Sequence, residues 1–286
     1  MTVYGITGAS GQLGRLTTEA LEQRVSPEQL VLITRSPDNL AEYAARGIEV
    51  RAGDFNDADS LRAAFAGIDR LLIISTDRVG DRLEGHRRAI AAAKVAGVSH
   101  LLYTSVPEPT PENPAGVVPD HAATEQAIRD SGLGWTFLRN ALYADGQLGS
   151  IEQAAASGQL VTNAGDGRNA YVTRADCARA AAAALVQGPG NATYDITGPA
   201  ALSTADLAAL AAGLRGSAVE VIDVSDEAYV QGLVEHGLPE PIAELLASFG
   251  TATRLGFMST VSTAVADLTG TPPAPLSSLL AETQPR

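Results

Sequence analysis

The stretch Thr7-Gly8-Ala9-Ser10-Gly11-Gln12-Leu13-Gly14 constrains this chain more than any other. It follows a β-rich run, Val3 to Ile6, and opens a helical pattern, Gln12 to Gln23. Gly8 suits a tight turn, and Gly11 lets a diphosphate reach the backbone with no Cβ in the way. Gly14 lets the helix pack close to the sheet. The peptide N–H groups of Gly8, Ala9, Ser10, Gly11, Gln12 and Leu13 would then hold the phosphates at the positive end of a helix. A glycine turn alone is weak evidence; strand before, helix after and repeated βα units strengthen it. The competing reading is a domain of the same fold that has lost its cofactor.

Those units run through the first half. Leu30 to Thr34, Ile48 to Arg51, Leu71 to Ser75, Leu101 to Ser105 and Trp135 to Arg139 read as further strands. Leu71-Leu72-Ile73-Ile74 is apolar throughout, as a strand covered on both faces should be. Helical patterns lie between: Asn39 to Ala45, Asp57 to Phe65, Leu83 to Ala96 and His121 to Asp130. Gly47, Gly67 and Gly97 follow three of them, where a helix stops in the left-handed conformation. The expected fold is α/β, a Rossmann doubly wound parallel sheet with a smaller C-terminal α/β lobe on the substrate side. The division is expected at 1–140 and 141–286, the second part partly interleaved. Residues 106–119 are rich in proline and read as a lid or substrate rim. Ile151 to Ala156, Arg174 to Leu185, Ser203 to Leu214, Asp226 to His236 and Pro241 to Phe249 read as helices, with strands at Tyr194 to Thr197 and Val219 to Val224. The tail from Gly270 is expected to pack loosely.

Composition removes several classes of function. A net charge of −13 without basic clusters argues against a nucleic-acid partner. No apolar run is long enough to cross a bilayer, and no signal peptide is visible, so a cytoplasmic protein is expected. The single cysteine, Cys177, lies in a helical pattern and reads as a small buried side chain. The histidines show no metal-like spacing, and no metal is expected. Apolar helices late in the chain could form a homodimer face.

The end of the second strand bears on which dinucleotide is bound. NAD sites usually carry an acid there for the ribose hydroxyls. This chain reads Ile33-Thr34-Arg35-Ser36-Pro37, and the Arg35 guanidinium could pair with a 2′-phosphate. NADP is therefore expected ahead of NAD, although Asp38 and Asn39 follow where a second basic residue would help. Asp54 ends the third strand, where it could accept the adenine amino group or cap the next turn. Ser75, Thr76 and Asp77 follow the fourth strand and should line the ribose side.

Taken together, Gly8 to Gly14, Arg35, Gly53-Asp54-Phe55, Tyr103-Thr104-Ser105, Leu138-Arg139-Asn140 with Tyr143, and Thr173-Arg174-Ala175-Asp176 resemble the NmrA-like branch of the atypical short-chain dehydrogenases. Within it the chain is most similar to the bacterial NADPH-dependent quinone oxidoreductases. The resemblance implies that Asn140 orients the nicotinamide carboxamide, that Tyr143 faces the substrate ring, and that Arg174 reaches in from the second half. It also implies a small quinone-like substrate.

Ordinary short-chain dehydrogenases use a Tyr-x-x-x-Lys pair. The corresponding helix here reads His121-Ala122-Ala123-Thr124-Glu125, and the members it resembles also lack the pair. A quinone needs chiefly orientation against the reduced nicotinamide. His121 could relay a proton or make a local contact. Ser105 could donate a hydrogen bond to a substrate oxygen or satisfy the strand end, and Glu125 is expected to form a local salt bridge. Three functions follow: an NADPH-dependent oxidoreductase acting on a quinone or similar conjugated carbonyl acceptor, an NADP-binding redox-sensing regulator without turnover, or a reductase or isomerase acting on another small molecule.

Overall fold

The computed structural model describes every residue except 77, 78, 189 and 284–286. In chain order the first half contains β1 (Tyr4–Thr7), α1 (Gln12–Glu22), β2 (Leu30–Thr34), α2 (Ala41–Ala44), β3 (Glu49–Ala52) and α3 (Ala58–Phe65), then β4 (Arg70–Ile73), α4 (Leu83–Ala96), β5 (His100–Ser105), α5 (Val118–Asp130) and β6 (Gly134–Asn140). The second half contains α6 (Leu148–Ser157), β7 (Gln159–Thr162), β8 (Arg168–Asn169), α7 (Arg174–Val186), β9 (Ala192–Ile196), β10 (Leu202–Ser203) and α8 (Thr204–Arg215). It ends with β11 (Glu220–Asp223), α9 (Asp226–Glu235), α10 (Glu240–Arg254), α11 (Ala264–Thr269) and α12 (Leu276–Thr283).

Seven parallel strands form the main sheet in the order β3-β2-β1-β4-β5-β6-β9. Alternate side chains feed two cores. Leu30, Leu32, Leu72 and Leu102 pack with α1, α7 and α11. Val31, Ile33, Leu71 and Leu101 pack with α3, α4 and α5. Cover on both faces is why these strands read as unbroken apolar runs. The expected doubly wound sheet is therefore present, with β9 from the second half hydrogen-bonded to β6. The winding direction reverses between β1 and β4. The crevice that such a reversal opens lies beyond the carboxyl ends of these strands.

Ile151, Leu207, Leu276 and Leu280 anchor a further core between α6, α8 and α12. The tail from Gly270 thus does not pack loosely: Leu276 and Leu280 are buried, and the intervening residues form a helix. Their spacing of four places both on one face. The proline-rich segment is also held. Ala115 and Val117 pack under α10, and the Gly116 N–H donates to Ser248 Oγ at 2.9 Å. The helix expected at Asn39 to Ala45 is a 3-10 turn at Pro37–Leu40 followed by the single turn of α2.

The α9–α10 hairpin is tied down by Asp226. Its carboxylate accepts from Asn163 Nδ2 at 2.8 Å, Thr251 Oγ1 at 2.8 Å and both terminal nitrogens of Arg254. These donors, Arg254 first, lower its pKa to about 2. The carboxylate therefore stabilises the fold fully above its unfolded pKa of about 3.9. That contribution is lost as pH falls through about 2. Because the side chain is 36% exposed, solvent screens it to about 1 kcal/mol. Asp226→Asn should lower stability at neutral pH by that amount and flatten the acid limb of a pH–denaturation profile. An unchanged acid limb would count against the linkage.

Candidate active site

At the reversal, the turn after β1, the tip of β2, the loop after β3 and the segment after β4 enclose a cleft of about 320 Å³. Gly8 takes φ +64°, in the left-handed region. The Ala9 N–H donates to Ile33 O at 3.2 Å, and Ser10 Oγ meets Thr34 Oγ1 at 2.9 Å, so the turn is fastened to β2. Gly11 caps α1 with no side chain, and no acid stands in the first turn. The first-turn N–H groups of α1, those of Gln12 and Leu13 among them, therefore have neither an internal acceptor nor a competing negative charge. Leu13 buries its side chain, so its part in the site falls to backbone. The N–H groups of Ala9 and Gly11, expected on the phosphates, are instead spent on Ile33 O and on Gly8 O at 3.0 Å, and these bonds shape the turn. A Cβ on Gly14 would lie 2.4 Å from Gly8 O and 2.7 Å from Ala9 Cα. Gly14 is thus needed for the helix to pass the turn itself rather than the sheet.

Arg35 lines the cleft, is exposed, and makes no ion pair or hydrogen bond among the described residues. A free guanidinium at the β2 tip fits a phosphate ligand. Asp54 also lines the cleft, and its Oδ1 accepts from the Asn56 N–H at 2.9 Å and Asn56 Nδ2 at 3.2 Å, which makes it a cap of the following turn. Ser75 and Thr76 line the opposite wall; Asp77 lies outside the described residues.

Further along the same edge, Asn140 ends β6 and is buried. Its Nδ2 donates to the Tyr143 hydroxyl at 3.4 Å, and its Oδ1 has no partner among the described residues. A buried acceptor left unfilled costs about 1–3 kcal/mol. A carboxamide N–H from a bound nicotinamide would satisfy it. Burial pushes the Tyr143 phenol up, so it stays a neutral donor. The Arg174 guanidinium lies 4.8 Å from the centre of its ring and pairs with Asp145 at 3.5 Å.

His121 and Ser105 lie deeper. His121 is buried, with Nδ1 2.8 Å from the Tyr103 hydroxyl and Nε2 3.0 Å from Arg82 Nη1. Burial, and then the Arg82 charge, hold it well below the usual histidine range. Ser105 donates to Glu125 Oε1 at 2.7 Å, so its proton is already engaged. The Glu125 carboxylate also receives Arg129 at 2.9 Å and both Nε and Nη2 of Arg139. Its pairing therefore reaches beyond its own helix.

Two residues that matter at the cleft were not singled out from sequence. Arg15 donates to Ser10 O at 3.2 Å and Asn39 O at 2.6 Å, bracing the glycine turn against the chain after β2. Arg82 is a buried arginine in the cleft wall. A larger hollow, about 620 Å³, separates α9 from α10. It is lined by Glu227, Glu235, Glu240 and Glu244, charges that would repel an anionic dinucleotide. Among the described residues, no group of three or more His, Cys, Asp or Glu could hold a metal ion, and no helix is long and apolar enough to cross a membrane.

A parallel sheet whose winding reverses beside an uncapped glycine turn and an unpaired arginine defines a dinucleotide-binding Rossmann protein. The chain belongs to the NAD(P)H-binding family, whose model matches residues 8–187. It is 36% identical over 276 residues to quinone oxidoreductase 2 of Escherichia coli strain K12, an alignment spanning 96% of each chain. The crystal structure of the Escherichia coli NADPH-dependent quinone oxidoreductase complexed with NADPH superposes with a TM-score of 0.94 at 35% identity, covering 98% of this chain and 99% of that one. Triphenylmethane reductase of Citrobacter sp., complexed with NADP(H), superposes at 0.91 with 35% identity over 99% of this chain and 100% of that one. The NAD(P)H azoreductase of Xenophilus azovorans is 26% identical over 268 residues, 93% of each chain. The resemblance drawn from the motifs is borne out. The protein is an NAD(P)H-dependent oxidoreductase.

Proposed function

We propose that this protein is a cytoplasmic reductase that passes hydride from NADPH to a quinone or similar small conjugated carbonyl acceptor. The observation that carries the reading is the unfilled Oδ1 of buried Asn140 beside the neutral Tyr143 hydroxyl. One receives the carboxamide; the other donates to an acceptor oxygen. Bound reduced nicotinamide supplies the hydride at its C4. The N–H groups of Ser10, Gln12 and Leu13 hold the diphosphate, with those of Ala9 and Gly11 already spent on Ile33 O and Gly8 O. Arg35 holds the 2′-phosphate, and Ser75 with Thr76 the ribose. Arg174 steadies the Tyr143 ring. The two buried histidines beside the cleft are held neutral, His86 at a pKa of about 3. That suits a quinone, whose reduced form can take its protons from water, better than a reaction with an obligate protein acid. The relatives are named for the reduction of quinone, triphenylmethane and azo compounds.

The test is NADPH oxidation with and without a small benzoquinone. Catalysed consumption above the uncatalysed rate is expected. Tight NADPH binding with no acceleration would favour a redox-sensing regulator instead. Asn140→Ala should lower kcat with benzoquinone by roughly 10–100-fold, because a misplaced ring loses most of the benefit of orientation. Equal kcat for variant and wild type would remove Asn140 from this role.

A further inference from the structure

Past Ile73 the β4 backbone leaves the sheet, and its next three N–H groups need other partners. Each finds a side chain. Ile74 N–H donates to Thr7 Oγ1 at 3.1 Å, Ser75 N–H to Thr104 Oγ1 at 2.9 Å, and Thr76 N–H to His86 Nε2 at 3.4 Å. The Ser75 hydroxyl oxygen receives Arg82 Nη1 at 2.9 Å. This short segment forms one wall of the cleft.

The direction of each histidine bond behind it can be assigned. Thr124 Oγ1 donates to Asp120 O at 2.7 Å, so at 3.0 Å it must accept from His86 Nδ1–H. That leaves His86 Nε2 as the acceptor for Thr76. Arginine only donates. His121 Nε2 therefore accepts from Arg82, and His121 Nδ1–H donates to the Tyr103 hydroxyl. Both imidazoles are neutral and carry their proton on Nδ1. Arg82, His86 and His121 are all at least nine-tenths buried. An apolar filling of such a site is often no less stable than a charged one. The polar residues are instead arranged to hold the cleft wall.

We infer that Arg82, His86 and His121 are positioning residues for the dinucleotide, fixing Ile74–Thr76 so that the Ser75 hydroxyl can donate to a ribose oxygen. With its oxygen filled by Arg82, Ser75 gives its proton to Thr76 O at 3.5 Å. That contact is long enough to be surrendered to a ligand. The inference rests on the cleft being the dinucleotide site.

Calorimetry with NADPH and NADH on folded variants tests it. His86→Asn keeps a donor near Nδ1 but leaves Thr76 N–H unpaired; affinity for both dinucleotides should fall about tenfold. His86→Gln places a carbonyl oxygen near Nε2 and should restore most of that loss. The KM for NADPH should rise in the Asn variant while that for benzoquinone holds. A purely structural role would lower the melting temperature of both variants without this split. Should the Asn variant fail to fold, nitrogen-15 NMR of the wild-type imidazoles decides. Nδ1–H at both histidines supports the assignment, and Nε2–H at either overturns it. Unchanged affinity in folded His86→Asn overturns this inference alone. Wild-type protein that binds neither dinucleotide overturns the reading of the cleft as well.

Discussion

Gly14→Ala should weaken NADPH binding by roughly 100-fold or more, about 2.8 kcal/mol. The added methyl would lie 2.4 Å from Gly8 O and 2.9 Å from the Ala9 carbonyl carbon, and both are backbone atoms of the cradle. Neither can rotate aside as a side-chain tip would. Either α1 slides outward or the turn flattens, and each movement takes the first-turn N–H groups away from the diphosphate position. Overpacking of this kind also costs about 1–3 kcal/mol of stability. Gly149→Ala is the matched control. Gly149 lies in α6, and a Cβ there meets open space. Its NADPH affinity should equal the wild type's, read by calorimetry. If the two variants bind NADPH alike, the turn is not the phosphate cradle.

Arg35→Ala should separate the two dinucleotides. The guanidinium lines the cleft and has no protein partner among the described residues, so its removal breaks no internal contact. NADPH should lose its charge-assisted contact through the 2′-phosphate, worth about 1.5–3 kcal/mol in all, a weakening of roughly 10–100-fold. NADH has no such phosphate and should change little. The loss should also shrink as salt is raised, because the site is exposed. Equal losses for NADPH and NADH would remove Arg35 from phosphate recognition. Asp38 and Glu42 follow where further cations would sharpen the preference, and Glu42 is paired with Arg15. The discrimination is therefore expected to depend on one guanidinium.

The sheet was legible because its strands are buried on both faces, and short apolar runs such as Leu71-Leu72-Ile73, set between helical patterns, fit that role. The glycine turn was legible because backbone geometry, not tertiary context, selects its residues. What stayed hidden depends on which face of a helix is buried. On α4, His86 shares the buried stripe of Ala89, Ile90 and Ala93. On α5, His121, Thr124 and Glu125 share that of Val118 and Ile128. Polar residues recurring at core positions on two neighbouring helices are a readable sign of a buried network, since each must find a partner. Taken one at a time, they read as local contacts. Arg82, just before α4, gives no periodic signal, and only the fold brings it to Ser75. The final helix was missed because prolines before Leu276 read as a loose tail, although Leu276, Leu279 and Leu280 already had helical spacing.

The most direct measurement is a crystal structure of this protein with NADPH bound. The diphosphate is expected on the Ser10, Gln12 and Leu13 amides, the 2′-phosphate within hydrogen-bonding reach of Arg35, and the carboxamide N–H on Asn140 Oδ1, with C4 open toward Tyr143. A dinucleotide seated elsewhere, or a nicotinamide ring turned away with Asn140 Oδ1 still unpaired, would contradict it.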